Sequence, residues 1–285
     1  MTQLLVKQVI EGCTAGLPAQ IKYYTQFNQP VKVIDDTLSE VIGAAINDTL
    51  CGGTGGGGWD AVDGGESKNS SHVQSKFCAE CGKKVSFFAE QCPHCDSTSF
   101  KASKAQKNVK QTNPRDGRWG ISAKSHFQYK NELKEYRLSL VEPLSDDAKC
   151  RQFRFTYWTL DKDSEHLDRY AQAQLDSDKS NHINFQPFGV DFYLSRPVMK
   201  FTGVLTVHDD RTEFDFDFFD LNNTTVMDIP DKFSSRDSQS VIESKNFGKD
   251  RGEWVRNWHS IISGIGVLTD PFFHAIISVS DYWWC

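Results

Sequence analysis

The stretch Gly57-Gly-Trp-Asp-Ala-Val-Asp-Gly-Gly-Glu-Ser-Lys68 ends in an acid-x-lysine triplet. Residues two apart on a strand share a face, so Glu66 and Lys68 point the same way. Trp59, Ala61 and Val62 suit a pleated strand and Asp63-Gly64 is a two-residue turn signal, so the stretch reads as a tight hairpin. A carboxylate of the outgoing strand, Asp60 or Asp63, would join Glu66 around a hard dication such as Mg2+. Lys68 would set a compact positive charge beside a phosphate or an attacking water. Together these groups are the equipment for metal-assisted hydrolysis of a phosphodiester. A solvated hairpin with ordinary surface charges has the same letters, and such spacings arise by chance in a chain with 38 acidic residues.

The second constellation is Cys78-Ala-Glu-Cys81 with Cys92-Pro-His-Cys95. Two C-x2-C knuckles ten residues apart have the spacing of a tetrahedral four-cysteine zinc ribbon, with Phe87 and Phe88 as a small apolar cover. His94 reads as a bystander inside the second knuckle. Disulfides are not expected, because Lys7 breaks the apolar start of the chain and no export signal is read there. Cys13, Cys51, Cys150 and Cys285 show no spacing that suggests another site.

The elements that must position these groups follow from periodicity. Residues 2 to 50 read as helical. Leu38, Val41, Ile42, Ala45 and Ile46 form one apolar stripe for packing against a sheet. Thr37-x-x-Glu40 has the form of a capping box, which gives Glu40 a structural task. Asp48 reads first as a helix-end or turn residue, and is an alternative first acid at longer spacing from Glu66. The run Cys51 to Gly58 lacks the Gly-Lys-Ser/Thr ending of a phosphate-binding loop and reads as a flexible lead.

Beyond the cysteines, Lys101, Lys104, Lys107 and Lys110 recur every three residues, either as a phosphate-contacting arm or as a solvated linker. Strands are expected at Arg118–Lys124, Arg137–Glu142 and Phe153–Leu160, as parts of a central mixed sheet. Asp116, Lys124 and His126 form a rival site on this reading, although Ser122 stands where an acid should be. Glu213 to Asp220 alternates at period two, as a strand with acids outward. The tail from Trp254 to Trp284 reads as core or as the surface of a homodimer.

Composition bounds the function. A chain of 285 residues can bury a full core, and 38% hydrophobic residues exclude disorder as a whole-chain description. No apolar run reaches the length of a membrane span, so a soluble, cytoplasmic protein without a membrane partner is expected. Net charge is -6, yet ten basic residues stand against three acids between Lys101 and Arg137. Such a patch holds a phosphate backbone even on an acidic protein.

Asp60 followed by Glu66-Ser67-Lys68 straight after a glycine pair resembles the PD-(D/E)XK nuclease motif in its short-spaced form. That form is found in some type II restriction endonucleases and in the mismatch-repair nickase that resembles them. The match is confined to Asp60–Lys68 and lacks the proline before the aspartate. The resemblance implies an α/β fold, restriction-endonuclease-like, with a mixed central sheet flanked by helices and an inserted zinc ribbon. It implies a Mg2+-dependent, sequence-specific endonuclease on double-stranded DNA, with Asp60 and Glu66 holding the metal and Lys68 orienting the water. Related nucleases add a helical acid, a place Glu40 would fill.

The expected layout is N-terminal helices and catalytic hairpin over 1–75, ribbon over 76–100, basic segment and sheet strands over 101–160, and a recognition or dimerisation part over 161–285. Gln152, Arg154, Asn181, Asn184 and Gln186 are candidates for reading base edges. The other readings are a non-catalytic zinc-ribbon adaptor that binds nucleic acid or protein, and a phage or repair nuclease of relaxed sequence preference.

Overall fold

A computed structural model of the chain describes residues 3–52, 60–71, 75–101, 118–145, 148–176, 182–185 and 187–227. Trp59, Lys104, Lys107, Lys110, Asp116, Asn181, Gln186 and the tail from 228 lie outside the described residues. The chain forms two compact units. The first comprises 1–119, 131–162 and 198–225, and the second 120–130, 163–197 and 226–285.

In the first unit three helices, α1 (Gln3–Thr14), α2 (Leu17–Gln26) and α3 (Asp36–Ile46), precede a five-stranded mixed sheet. The sheet order is β1 (Gly65–Ser71), β6 (Glu135–Pro143), β7 (Gln152–Asp161), β9 (Val198–Val207), β10 (Thr212–Phe219). β1 runs parallel to β6, and the remaining neighbours are antiparallel. Each helix buries one stripe: Val6 and Ile10, Leu17 and Ile21, and Leu38, Ile42 and Ile46. These meet Val141, Phe153, Phe155, Tyr157, Phe201, Leu205 and Phe214 in a single core. Tyr157 and Phe155 each stack on Phe201, with ring centroids 5.3 and 5.7 Å apart. On β7 and β6, Trp158, Leu138 and Leu140 alternate with residues of that core and are equally buried. There Trp119 meets Trp158 edge to face and donates from Nε1 to the Ser139 carbonyl at 2.9 Å.

The two edges of the sheet differ. On β10, Phe214 donates its amide to Glu11 of α1, and the Thr212 hydroxyl donates to the Glu11 carbonyl. Asp215 and Asp217 point outward into ion pairs with Lys7 and Arg154, as the alternating pattern predicts. The other edge is β1, which carries Glu66 and Lys68.

Three sequence expectations are corrected. Among the described residues 60–68 the expected hairpin does not form as two paired strands. A turn does close, with the Gly64 amide bonding the Ala61 carbonyl at 3.0 Å and Gly64 at φ +85°. Ala61, however, bridges Cys51, and β1 takes β6 as its partner some seventy residues on. A parallel pairing is non-local and leaves no mark in the local pattern. Next, Lys124 does not end a strand: Ser122 accepts the Ser125 amide and starts helix α4 (Ala123–Tyr129). Last, the central sheet draws β9 and β10 from beyond residue 160.

The ribbon is a three-stranded sheet in the order β3 (Lys84–Ser86), β2 (Ser75–Cys78), β4 (Phe100–Lys101). In the second unit, β5 (Trp119–Ser122) pairs with β8 (His182–Phe185) beside α4, α5 (Glu165–Asp176) and α6 (Val190–Leu194). His126 bonds Asp168 at 2.8 Å, Lys130 reaches the same carboxylate at 2.6 Å, and buried His166 bonds Asp191 at 2.9 Å. Among the described residues no helix is long and apolar enough to cross a membrane.

Candidate functional site

Four side chains from three segments converge at the β1 edge. Glu66 and Lys68 share a face of β1, and Lys68 Nζ donates to Glu66 Oε1 at 2.5 Å. Asp60 enters from the turn before the strand and accepts the Ser67 amide on Oδ2 at 2.7 Å. That bond brings Asp60 beside Glu66 without a hairpin register, so the facing problem of a straight two-stranded pairing does not arise. The fourth group is Glu40, near the middle of α3. Burial, then the carboxylates of Asp60 and Asp36, raise its carboxyl above the ordinary value of 4.5, against the pull of Lys68. Burial likewise raises Glu66, where Lys68 opposes and the Asp60 carboxylate reinforces the shift.

Glu40 is therefore not a capping residue. Asp35, in extended conformation, is the N-cap of α3 and accepts the Leu38 amide at 2.8 Å, so Thr37 lies inside the first turn. Aspartate caps at least as well as threonine, and here it stands two residues upstream of it. Cys51 also adjoins the site, its thiol raised by burial and then by Glu40 and Asp60. Nothing in its spacing pointed there, because the Cys51–Ala61 bridge that brings it in is a tertiary contact.

Asp63 and Asp48 are placed elsewhere. Asp63 Oδ2 accepts from Arg137 Nη2 at 2.6 Å and from Lys134 Nζ at 2.9 Å. Burial works against it, but those two hydrogen bonds hold its carboxyl below the ordinary range. Asp48 follows the C-cap of α3 at φ +52°, the conformation of a helix-end residue.

The site suits a hard cation by its donors. Glu66 Oε2 is buried and has no hydrogen-bond partner, and the charged groups that act on this carboxyl are the Lys68 ammonium and the Asp60 carboxylate. The ligand oxygens of Glu40, Asp60 and Glu66 do not all lie within 4.8 Å of one another.

Among the described residues the only group of three or more His, Cys, Asp or Glu with ligand atoms mutually within 4.8 Å is Cys78, Cys81, Cys92 and Cys95. Cys78 Sγ and Cys95 Sγ are 3.5 Å apart, and Cys81 Sγ and Cys92 Sγ 3.7 Å. Tetrahedral zinc thiolate with bonds of about 2.3 Å would space sulfurs by about 3.8 Å, so the cluster could bind a metal such as zinc. The Cys81 amide leads a set of hydrogen bonds that pull the Cys78 thiol down to about 6. Cys95, although the Ser97 amide favours its thiolate, is pushed up to about 12 beside Cys78.

The cover expected of the two phenylalanines is supplied otherwise. Val85, Ala89 and Phe100 pack on the cysteines, whereas Phe88 enters the main core and meets Phe153 at 6.0 Å. Asn28 at the end of α2 pins the ribbon further, accepting the Ser86 amide and donating to the Lys84 carbonyl.

Of the lysine row, Lys101 is exposed on β4. Gln152 and Arg154 lie on β7, Asn184 lies on β8, and Arg154 pairs with Asp217. In the rival site His126 is engaged by Asp168. Comparison of the chain with protein-family models, with curated proteins and with solved structures finds no match.

Proposed function

We propose that this protein is a Mg2+-dependent DNA endonuclease of the PD-(D/E)XK kind, with Asp60, Glu66 and Lys68 as its catalytic residues and Glu40 as a further acid of the metal site. One observation carries the reading: a buried, unpartnered Glu66 carboxylate oxygen lies near acids from two other segments, Asp60 and Glu40, and beside a lysine on the same strand face. Chance spacing accounts for the letters D, E and K in the sequence, but not for their meeting with an acid from α3.

Asp60 and Glu66 would hold Mg2+, which when bound supplies Lewis-acid stabilisation of the phosphate and a more acidic water. The Ser67 amide fixes one Asp60 oxygen and leaves the other for the cation. Lys68, tethered to Glu66, presents its ammonium to the attacking water and to the charge that grows on the phosphate. The cysteines would hold a structural zinc, since a closed four-thiolate shell keeps no position for substrate. Sequence preference and a restriction context belong to this reading as its finer part.

The deciding experiment is cleavage of supercoiled plasmid. Wild-type protein is expected to nick or linearise it with Mg2+ and not with EDTA, and Glu66→Ala and Lys68→Ala each to lose about 10²-fold or more in rate. Undiminished cleavage by Glu66→Ala would end the assignment. DNA binding by the wild type without cleavage would favour the zinc-ribbon adaptor.

A further inference from the structure

We infer that Arg137 is a positioning residue of this site, a buried guanidinium that sets the spacing between the Asp60 turn and the Glu66 strand. The inference rests on the nuclease reading and goes beyond it. Arg137 lies opposite Ser67 in the parallel pairing of β1 with β6, and its side chain is fully enclosed. Its fork reaches back past Gly65, donating from Nη2 to Asp63 Oδ2 at 2.6 Å and from Nε to Glu135 Oε1 at 3.1 Å. Asp63 belongs to the turn that separates Asp60 from Glu66, so the guanidinium fixes that turn from below.

The surrounding backbone is shaped to admit it. A Cβ on Gly65 would fall 2.1 Å from Arg137 Cζ and 2.3 Å from Nη1, so the first residue of β1 can carry no side chain while the arginine is in place. A Cβ on Gly64 would meet the Glu132 carbonyl at 2.5 Å, and the Lys134 amide bonds the Gly64 carbonyl at 2.8 Å. The glycine pair thus seats the turn on the chain entering β6. Across the helix interface, a Cβ on Gly43 would lie 3.0 Å from Arg137 Cδ, which packs α3 directly on the same arginine.

Packing alone does not call for a charge here. Val141, on the same face of this strand, is buried as an aliphatic residue. Replacing a buried ion pair by apolar groups is often neutral for stability, whereas a planar fork defines one geometry between its partners. The pair of carboxylates on Arg137 thus specifies where Asp60 stands relative to Glu66.

The test compares Asp63→Asn, Arg137→Lys and Lys134→Gln with wild type and with Glu66→Ala, reading the Mg2+ half-saturation, kcat and the KM for plasmid, with thermal unfolding as the fold check. Asp63→Asn keeps the volume and removes one anchor, and Arg137→Lys keeps the charge and removes the fork. Both are expected to raise the Mg2+ half-saturation and lower kcat, by up to about 10²-fold for a displacement of about 1 Å, with KM for DNA unchanged. Lys134→Gln, which removes only the exposed contact, should stay within about twofold. Folded Asp63→Asn protein with wild-type Mg2+ dependence and kcat would overturn the positioning role, and it decides alone if Arg137→Lys fails to fold. Should Glu66→Ala cleave like wild type, the nuclease reading falls and the positioning role falls with it. A wild type that cleaves and a Glu66→Ala protein that does not isolate the arginine question.

Discussion

At the scale of single residues the two aspartates of the turn separate cleanly. Asp60→Ala is expected to abolish plasmid cleavage while lowering stability by only about 1 kcal/mol, the loss of its bond to the Ser67 amide. Asp63→Ala leaves Arg137 with Glu135 alone, so it should cost roughly 3 kcal/mol in urea unfolding. The Asp63 contribution also has a sign in pH. Its carboxyl is depressed in the folded protein, so the stabilisation is full above the ordinary value of 3.8 and is lost as pH falls through the lowered one. Glu40 and Glu66 behave oppositely. Both are raised, so protons compete with the cation at pH values above the usual carboxylate range. The acid limb of the cleavage profile is therefore expected above 4.5 and should move down as Mg2+ is raised. A limb below 4.5, indifferent to Mg2+, would contradict the assignment of these acids. Glu40→Gln removes one of the two and should weaken Mg2+ dependence with little change in the cap of α3, because Asp35 holds that end.

At the scale of elements the ribbon is a strut. A segment with so small a core of its own would be expected to depend on metal to order itself. Because Phe88 also packs in the main core, zinc removal should lower the unfolding temperature of the whole first unit. Cys→Ser at 78, 81, 92 or 95 should do the same, and elemental analysis should give one zinc per chain; protein without zinc would refute this. Phe88→Ala probes the coupling from the other side and is expected to cost about 3 to 5 kcal/mol, the usual range for an emptied core phenylalanine. If it were harmless, the ribbon would be an appendage.

At the scale of the molecule, an overall charge of -6 coexists with a basic stretch from Lys101 to Arg137. Evenly spaced lysines meet phosphates and do not read base edges. Changing Lys101, Lys104, Lys107 and Lys110 to Gln should flatten the salt dependence of DNA affinity by up to about four phosphate contacts, leaving sequence preference unchanged. An unchanged slope would make the row a linker.

How much of this was legible follows the range of each interaction. The cysteine knuckles, the α3 stripe, the alternation of β10 and the shared face of Glu66 and Lys68 were readable in the sequence. Each is a periodicity of about 2 or 3.6, or a spacing within one short segment. The partner of β1, the recruitment of Glu40, the division of labour between Asp60 and Asp63, and the docking of Phe88 were decided only in the tertiary structure. They join groups from about 20 to 70 residues apart, and no local pattern encodes which distant strand or helix a polar edge will meet. Glu40 shows the cost of reading locally: Thr37-x-x-Glu40 satisfies a capping rule, yet Asp35 caps the helix and leaves the glutamate facing Asp60 and Glu66.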